Sequence, residues 1–139
     1  MKHVIIALVV FLLAATLQAA PAGDCAAAAE TIASLRSLQI VADAYKIDYK
    51  KYPPAVSIQE LQPLAQPVYI RTMPLRDGWG NPIFYLTFAD GKSYVIASPG
   101  ADGKFDESTW TREPKSFSDD AVIRSGVAPR VWAVGEGCK

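Results

Sequence analysis

The chain has 139 residues, half of them hydrophobic, with 14 Lys+Arg against 14 Asp+Glu. That gives room for one compact domain and excludes two large ones, while the balanced charge, with no Lys/Arg run, excludes an electrostatic nucleic-acid binder. The only histidine, His3, lies in a segment read below as removable. A Ser-His-Asp or Cys-His nucleophile and a His-ligated zinc are therefore excluded from the mature protein, and carboxylates remain as the groups for acid–base or metal chemistry.

Lys2 and His3 precede an apolar run from Val4 to Ala15, and Ala19-Ala20-Pro21-Ala22 follows. This is the basic, apolar and small-residue order of a secretory signal, with cleavage expected after Ala22 and after Ala19 as the alternative. The predicted organisation is a signal peptide over 1–22 and one domain over 23–139. The apolar run is shorter than the roughly 20 residues a membrane span needs. Retention of 4–20 as an anchor is the secondary reading, and the membrane is then touched only through an uncleaved signal. Asp24 before Cys25 argues against lipidation, which requires a small uncharged residue there. The expected location is periplasmic or secreted.

From Ala26 to about Lys50 there is neither Gly nor Pro, and Thr31, Leu35, Leu38, Ala42, Tyr45 and Tyr49 recur at intervals of three and four. That spacing predicts an amphipathic helix, with Asp24 as its N-cap and Lys46, Lys50 and Lys51 as a solvated end beside the negative dipole terminus. Pro53-Pro54 ends it. Ser57 and Glu60 have capping-box spacing, predicting a helical turn over 57–64, after which Pro63 and Pro67 favour irregular structure. The segment Met73–Pro82 is dense in turn formers and contains Trp79, read as an anchor in the core. Ile83–Phe88 and Ser93–Ala97 read as strands joined by the tight turn Ala89-Asp90-Gly91-Lys92. A long loop over 98–118 follows, then a third strand at Ala121–Arg124 and a fourth at Val131–Val134. One long helix followed by an antiparallel β-meander is an α+β plan. Tyr45, Tyr49 and Tyr52 are read as packing on the sheet, and Trp110 as the exposed aromatic available to a protein partner.

The two cysteines, Cys25 and Cys138, stand near opposite ends of the secreted part. An exported even count favours one internal disulfide, which would close a loop of roughly 110 residues and stabilise by about 4 to 5 kcal/mol in the chain-entropy model. Two free thiols, or Cys138 bonded to another chain, are the alternatives.

Ala44-Tyr45-Lys46-Ile47-Asp48, Tyr52-Pro53, Tyr69-Ile70, Pro74, Asp77-Gly78-Trp79-Gly80-Asn81-Pro82-Ile83 and Ser98-Pro99-Gly100-Ala101-Asp102-Gly103, in this order and spacing, resemble the soluble domain of the protein G, or major pseudopilin, family of type II secretion systems. The resemblance runs from Leu38 to Gly103 and more loosely to Asp119-Asp120. It implies a pseudopilin-like fold, a long N-terminal helix packed on a small antiparallel sheet, and a calcium-binding loop over 98–120. By position it implies Asp102 and one or both of Asp119 and Asp120 as carboxylate ligands, with the Pro99 carbonyl as a backbone ligand. Asp106 and Glu107 could replace or supplement them. Calcium takes six to eight hard oxygens, and acids far apart in sequence converge only if the loop folds around the ion. Asp102 to Glu107 does not fit an EF-hand, because Lys104 and Glu107 stand where a ligand and a glycine belong.

The family's basic leader, its Gly-Phe-x-x-x-Glu motif and its long apolar helix do not occur here. The resemblance therefore implies a free-standing, non-enzymatic, calcium-stabilised module that interacts with protein partners of a secretion or pilus-like apparatus. The first alternative is a membrane-anchored minor pseudopilin retaining 4–20. The second is a carboxylate-based hydrolase, which needs two carboxyls facing each other across a cleft, an arrangement that neighbours such as Asp119 and Asp120 on a strand cannot give. Asp102-Gly103 also reads as a simple turn without metal.

Overall fold

The computed structural model describes residues 22–135 and Cys138. The segment read as a signal, 1–22, therefore lies outside the described residues apart from Ala22. In chain order the elements are helix α1 (Ala22–Tyr49), helix α2 (Ile58–Ala65), strand β1 (Phe84–Phe88), strand β2 (Ser93–Ser98), a short 3-10 turn (Glu107–Thr111) and strand β3 (Ala121–Arg124). The three strands form one antiparallel sheet in the order β1-β2-β3, and α1 packs on it, so the expected α+β architecture is the one observed.

The three-and-four spacing along α1 becomes its inner face, since Ala28, Thr31, Leu35, Leu38, Val41, Ala42 and Tyr45 are all buried. Tyr49, expected on that face, is 57% exposed and stacks on Tyr45 at 4.3 Å between ring centroids. Asp24 is not the cap. It lies within the first turn, where an acid suits the positive end of the dipole, and its Oδ1 accepts the Trp79 indole N–H at 2.9 Å. The helix stops where Lys50 takes a left-handed conformation (φ 62°) and its N–H closes on the Lys46 carbonyl at 2.8 Å.

Ser57 caps α2 as its spacing predicts, accepting the Glu60 N–H at 3.2 Å, while Glu60 Oε2 accepts the Val56 N–H. Pro63, expected to break the chain, lies inside α2. This two-turn helix is held by burial of Ile58, Leu61 and Ala65, which outweighs the one lost hydrogen bond.

Sheet register places Tyr85 opposite Ile96, Ile96 opposite Ile123, Phe84 opposite Ala97, and Ala97 opposite Val122. Tyr85, Tyr94, Ile96, Ala121 and Ile123 belong to the main core with α1 and α2. Val95, Ala97 and Val122 form a second, smaller core on the other face, against Phe84, Leu86 and Trp110. Trp110 is therefore half-buried rather than the exposed partner-contact residue expected, because the outer sheet face is apolar and needs a cover. Arg124 lies 5.5 Å over its ring.

The expected fourth strand does not form. The chain makes a single bridge, Arg130 to Val122, then leaves the sheet, so that Trp132 can plug the core and donate its Nε1–H to the Asp119 carbonyl at 3.1 Å. The tail ends in a Cys25–Cys138 disulfide, with Cα atoms 5.6 Å apart, so the internal pairing is the one present. Among the described residues no helix is long and apolar enough to cross a membrane.

Candidate functional site

The loop after β2 begins at Ser98, which is fully buried and donates its hydroxyl to Asp77 Oδ2 at 2.7 Å. Asp77 is a hub. Its Oδ1 accepts the N–H groups of Trp79 (3.0 Å) and Asn81 (2.9 Å), closing the turn-rich segment on itself. That segment is clamped to α1 at one side, where the Gly78 N–H donates to Thr31 Oγ1 at 2.8 Å. At the other side Asn81 Nδ2 donates to the Gly100 carbonyl at 2.9 Å and so fixes the start of the long loop.

The two arms of that loop meet at Gly100. Its φ of +74° is left-handed, and a Cβ there would lie 2.3 Å from the Phe117 carbonyl oxygen and 2.8 Å from that of Asp119. The Ala101 N–H donates to the same Phe117 carbonyl at 2.7 Å. Pro99 and Asp102 are thereby brought to the segment that carries Asp119 and Asp120. Asp102 is exposed, and its Oδ1 accepts the Lys104 N–H at 2.9 Å.

The acidic doublet divides. Asp119 turns to Arg112, whose Nη1 and Nη2 reach its two oxygens at 2.9 and 3.2 Å, and it also accepts the Lys115 N–H at 2.7 Å. The Arg112 guanidinium, then the Lys115 N–H, hold its carboxyl down to about 2. Asp120 turns inward and is 1% exposed. Its Oδ2 accepts the Asp106 N–H at 2.9 Å and the Trp110 indole N–H, while its Oδ1 is buried with no hydrogen-bond donor among the described residues. Burial pushes the Asp120 carboxyl up, the two donors pull it down, and the charges of Asp102 and Asp106 push it up again. Asp106 is itself held below the usual carboxylate range by the hydroxyl and N–H of Ser108.

A buried carboxylate oxygen without a donor, near two further acids, has the donor chemistry of a hard cation site and costs stability when left alone. The side chains supply it sparsely, since among the described residues no three of the His, Cys, Asp and Glu groups cluster as a metal cage would need. Of the four residues implied as ligands, the Asp119 carboxylate is committed to Arg112, Asp102 is exposed with one oxygen on the Lys104 N–H, and Asp120 is buried.

Reading the sequence alone misses Asp77, Asn81 and Arg112 as residues that shape this loop, and it weighs Asp106 only as a supplementary ligand, whereas the structure uses the Asp106 N–H to hold Asp120. The signal for the first two is present in Asp77-Gly78-Trp79-Gly80-Asn81, since an Asp opening a Gly-rich turn accepts N–H groups from the residues that follow. No comparable signal marks Arg112.

The loop, the clamp and the sheet lie within or beside the region that matches a known family model, described as type II secretion system (T2SS), protein G, over residues 18–112. A search of curated proteins finds no match. The matched region spans both helices, β1, β2, the clamp around Asp77 and the first half of the loop, more than half of the chain. The chain therefore belongs to the type II secretion system protein G family.

Proposed function

We propose that this protein is an exported, calcium-stabilised pseudopilin-like module, a structural or protein-interaction component of a type II secretion or pilus-like assembly. The observation that supports the assembly role is the family match across helix, sheet and loop, a family of structural secretion components and not of enzymes. In this reading 1–22 directs export and is removed, and 23–139 acts on the periplasmic side or beyond it.

The calcium part rests on Asp120. Its buried Oδ1 lacks a donor among the described residues, and Asp102 and Asp106 add negative charge around it. Asp120, Asp102 and the Pro99 carbonyl would hold the ion, with Asp119 acting through its clasp on Arg112. When bound, calcium supplies charge compensation that orders the 98–120 loop, in the weak range of extracellular sites, with Kd around 0.1–1 mM. The role is one of stability, because a ligand of the folded form alone adds RT ln(1 + [L]/Kd).

The test is a pull-down from envelope extract with and without chelator, read beside the intact mass of the bait. Recovery of secretion-apparatus proteins that chelation weakens, with a bait mass starting near residue 23, is the expected result. Recovery of no envelope protein under either condition would overturn the assembly role, equal recovery in both would overturn the calcium role, and a mass retaining 1–22 would establish the anchored form instead.

A further inference from the structure

The 3-10 turn Glu107–Thr111 and the residue that caps it give the two members of the acidic doublet different partners. Trp110, within the turn, donates its indole N–H to Asp120. Arg112, the C-cap, sets two guanidinium nitrogens on the two oxygens of Asp119 at 2.9 and 3.2 Å. A neutral donor leaves the charge of Asp120 in place, whereas the guanidinium fork takes up both oxygens of Asp119 and cancels its charge. Among the described residues this is the one ion pair, so Arg112 alone of the basic side chains there is paired with an acid of the loop.

Asp106 links the clasp to the carboxylate on which the calcium reading rests. Its N–H holds Asp120 Oδ2 at 2.9 Å, and its own carboxylate, held low chiefly by Ser108, also feels the charges of Arg112 and Asp119. The Asp119 main chain is anchored separately, its carbonyl accepting the Trp132 indole N–H at 3.1 Å. Its Oδ2 also accepts the Lys115 N–H at 2.7 Å, while Oδ1 has Arg112 as its sole donor among the described residues. Removing the guanidinium therefore frees Oδ1 without unseating the backbone. A divalent ion in an oxygen site is held more tightly as the number of carboxylate ligands rises, and a fixed positive charge beside it opposes it. Arg112 acts in the weakening direction on both counts.

We propose that Arg112 is a tethered counter-ion that withholds Asp119 from a divalent cation in the 98–120 loop and so sets how weakly the loop binds calcium. The inference rests on the calcium reading of Asp120, whose support is the buried Oδ1 without a donor among the described residues. In this arrangement Arg112 orders the outer side of the loop by itself, and the strength of the metal site is tuned by a residue that is not a ligand.

Calorimetric titration of the exported chain with calcium tests it, together with terbium luminescence lifetimes in water and heavy water, which count the waters left on the ion. Expected is a parent that binds calcium weakly and an Arg112→Gln variant that binds it about tenfold more tightly, with fewer waters on terbium. Asp119→Asn in that background should return both affinity and water count to those of the parent. Arg112→Lys, which keeps the charge and loses the fork, should move the same way by less, and it carries the test if the Gln variant does not fold. A parent that binds calcium while neither Arg112 variant binds it more tightly overturns the inference and leaves the calcium reading standing. So does a tightened variant with an unchanged water count, because Arg112 then acts on the ion by charge alone. Absence of calcium binding in the parent and in every variant overturns the calcium reading itself, and the inference with it.

Discussion

Gly78 lies so close to the backbone of α1 that a Cβ on it would stand 2.2 Å from the Ala27 carbonyl oxygen and 2.6 Å from the Ala27 Cα. The contact is backbone against backbone, so no side-chain rotation can relieve it. It is secured by Thr31, whose hydroxyl accepts the Gly78 N–H and donates to that same Ala27 carbonyl at 2.7 Å. The clamp that positions the 98–120 loop therefore depends on a missing methyl group. Gly78→Ala should cost about 2 kcal/mol or more, at the upper end of overpacking effects. Gly23→Ala, at a helical glycine with nothing within 4 Å, should be neutral or stabilising by up to about 1 kcal/mol. Urea unfolding of the two variants checks the contrast, and equal effects would show that the clamp can shift without loss.

Asp120→Asn separates the two states of the loop by the sign of its effect. In chelator the parent buries a carboxylate with one oxygen lacking a donor, so removing the charge should raise the melting temperature. In millimolar calcium the parent should gain stability that the variant cannot, and the order of melting temperatures should reverse. A parent whose melt is the same in calcium and in chelator would remove calcium from the account, leaving Asp120 as a buried carboxyl held by the Trp110 and Asp106 N–H groups.

The elements whose cause is local are legible in the sequence, and those whose cause is a distant residue are not. The inner face of α1 follows from spacing alone. The hairpin follows from Asp90-Gly91, and the structure places both in the left-handed region, at φ 55° and 81°, as such a turn requires, with Ala89 beside them at 53°. Trp110 misleads because its loop looks polar, yet the run Tyr94-Val95-Ile96-Ala97 is continuously apolar where a one-sided strand would alternate. That run announces a second buried face, and the structure supplies Trp110 to cover it. In the loop the sequence brings out the acids but not their division of labour. Asp119 and Asp120 differ only in what lies opposite them, Arg112 for one and Trp110 with the Asp106 N–H for the other.

The Arg112–Asp119 pair carries a pH signature of known sign. Arg112 holds the Asp119 carboxyl down to about 2 against an ordinary value of 3.8. A group depressed on folding contributes in full above its unfolded value and loses that contribution as pH falls through its folded one. Arg112→Ala should therefore melt below the parent near neutrality, and the gap should close between about pH 4 and about pH 2. Melting curves across that range, in high salt and in low, check it. A gap that persists at pH 2 would mean that Arg112 stabilises by packing, with the charge incidental.

The disulfide joins the first turn of α1 to the chain terminus across a separation of 113 residues, and between them the tail is held by Trp132. Two mechanisms therefore fix the tail, one acting on the unfolded chain and one on the folded. In the chain-entropy model a loop of that size is worth about 4 to 5 kcal/mol, all of it from restricting the unfolded state. Trp132 contributes through burial, through its edge contact with Trp79 at 5.4 Å and through its bond to the Asp119 carbonyl. Replacing both Cys25 and Cys138 by Ser should lower the free energy of unfolding by several kcal/mol, while the Trp132 fluorescence of the folded variant stays that of a buried indole. Trp132→Ala should do the reverse, leaving the covalent loop closed while loosening the site around Asp119. If the Ser variant also loses the buried emission of Trp132, the disulfide is what seats the tail, and the packing of the indole follows from it.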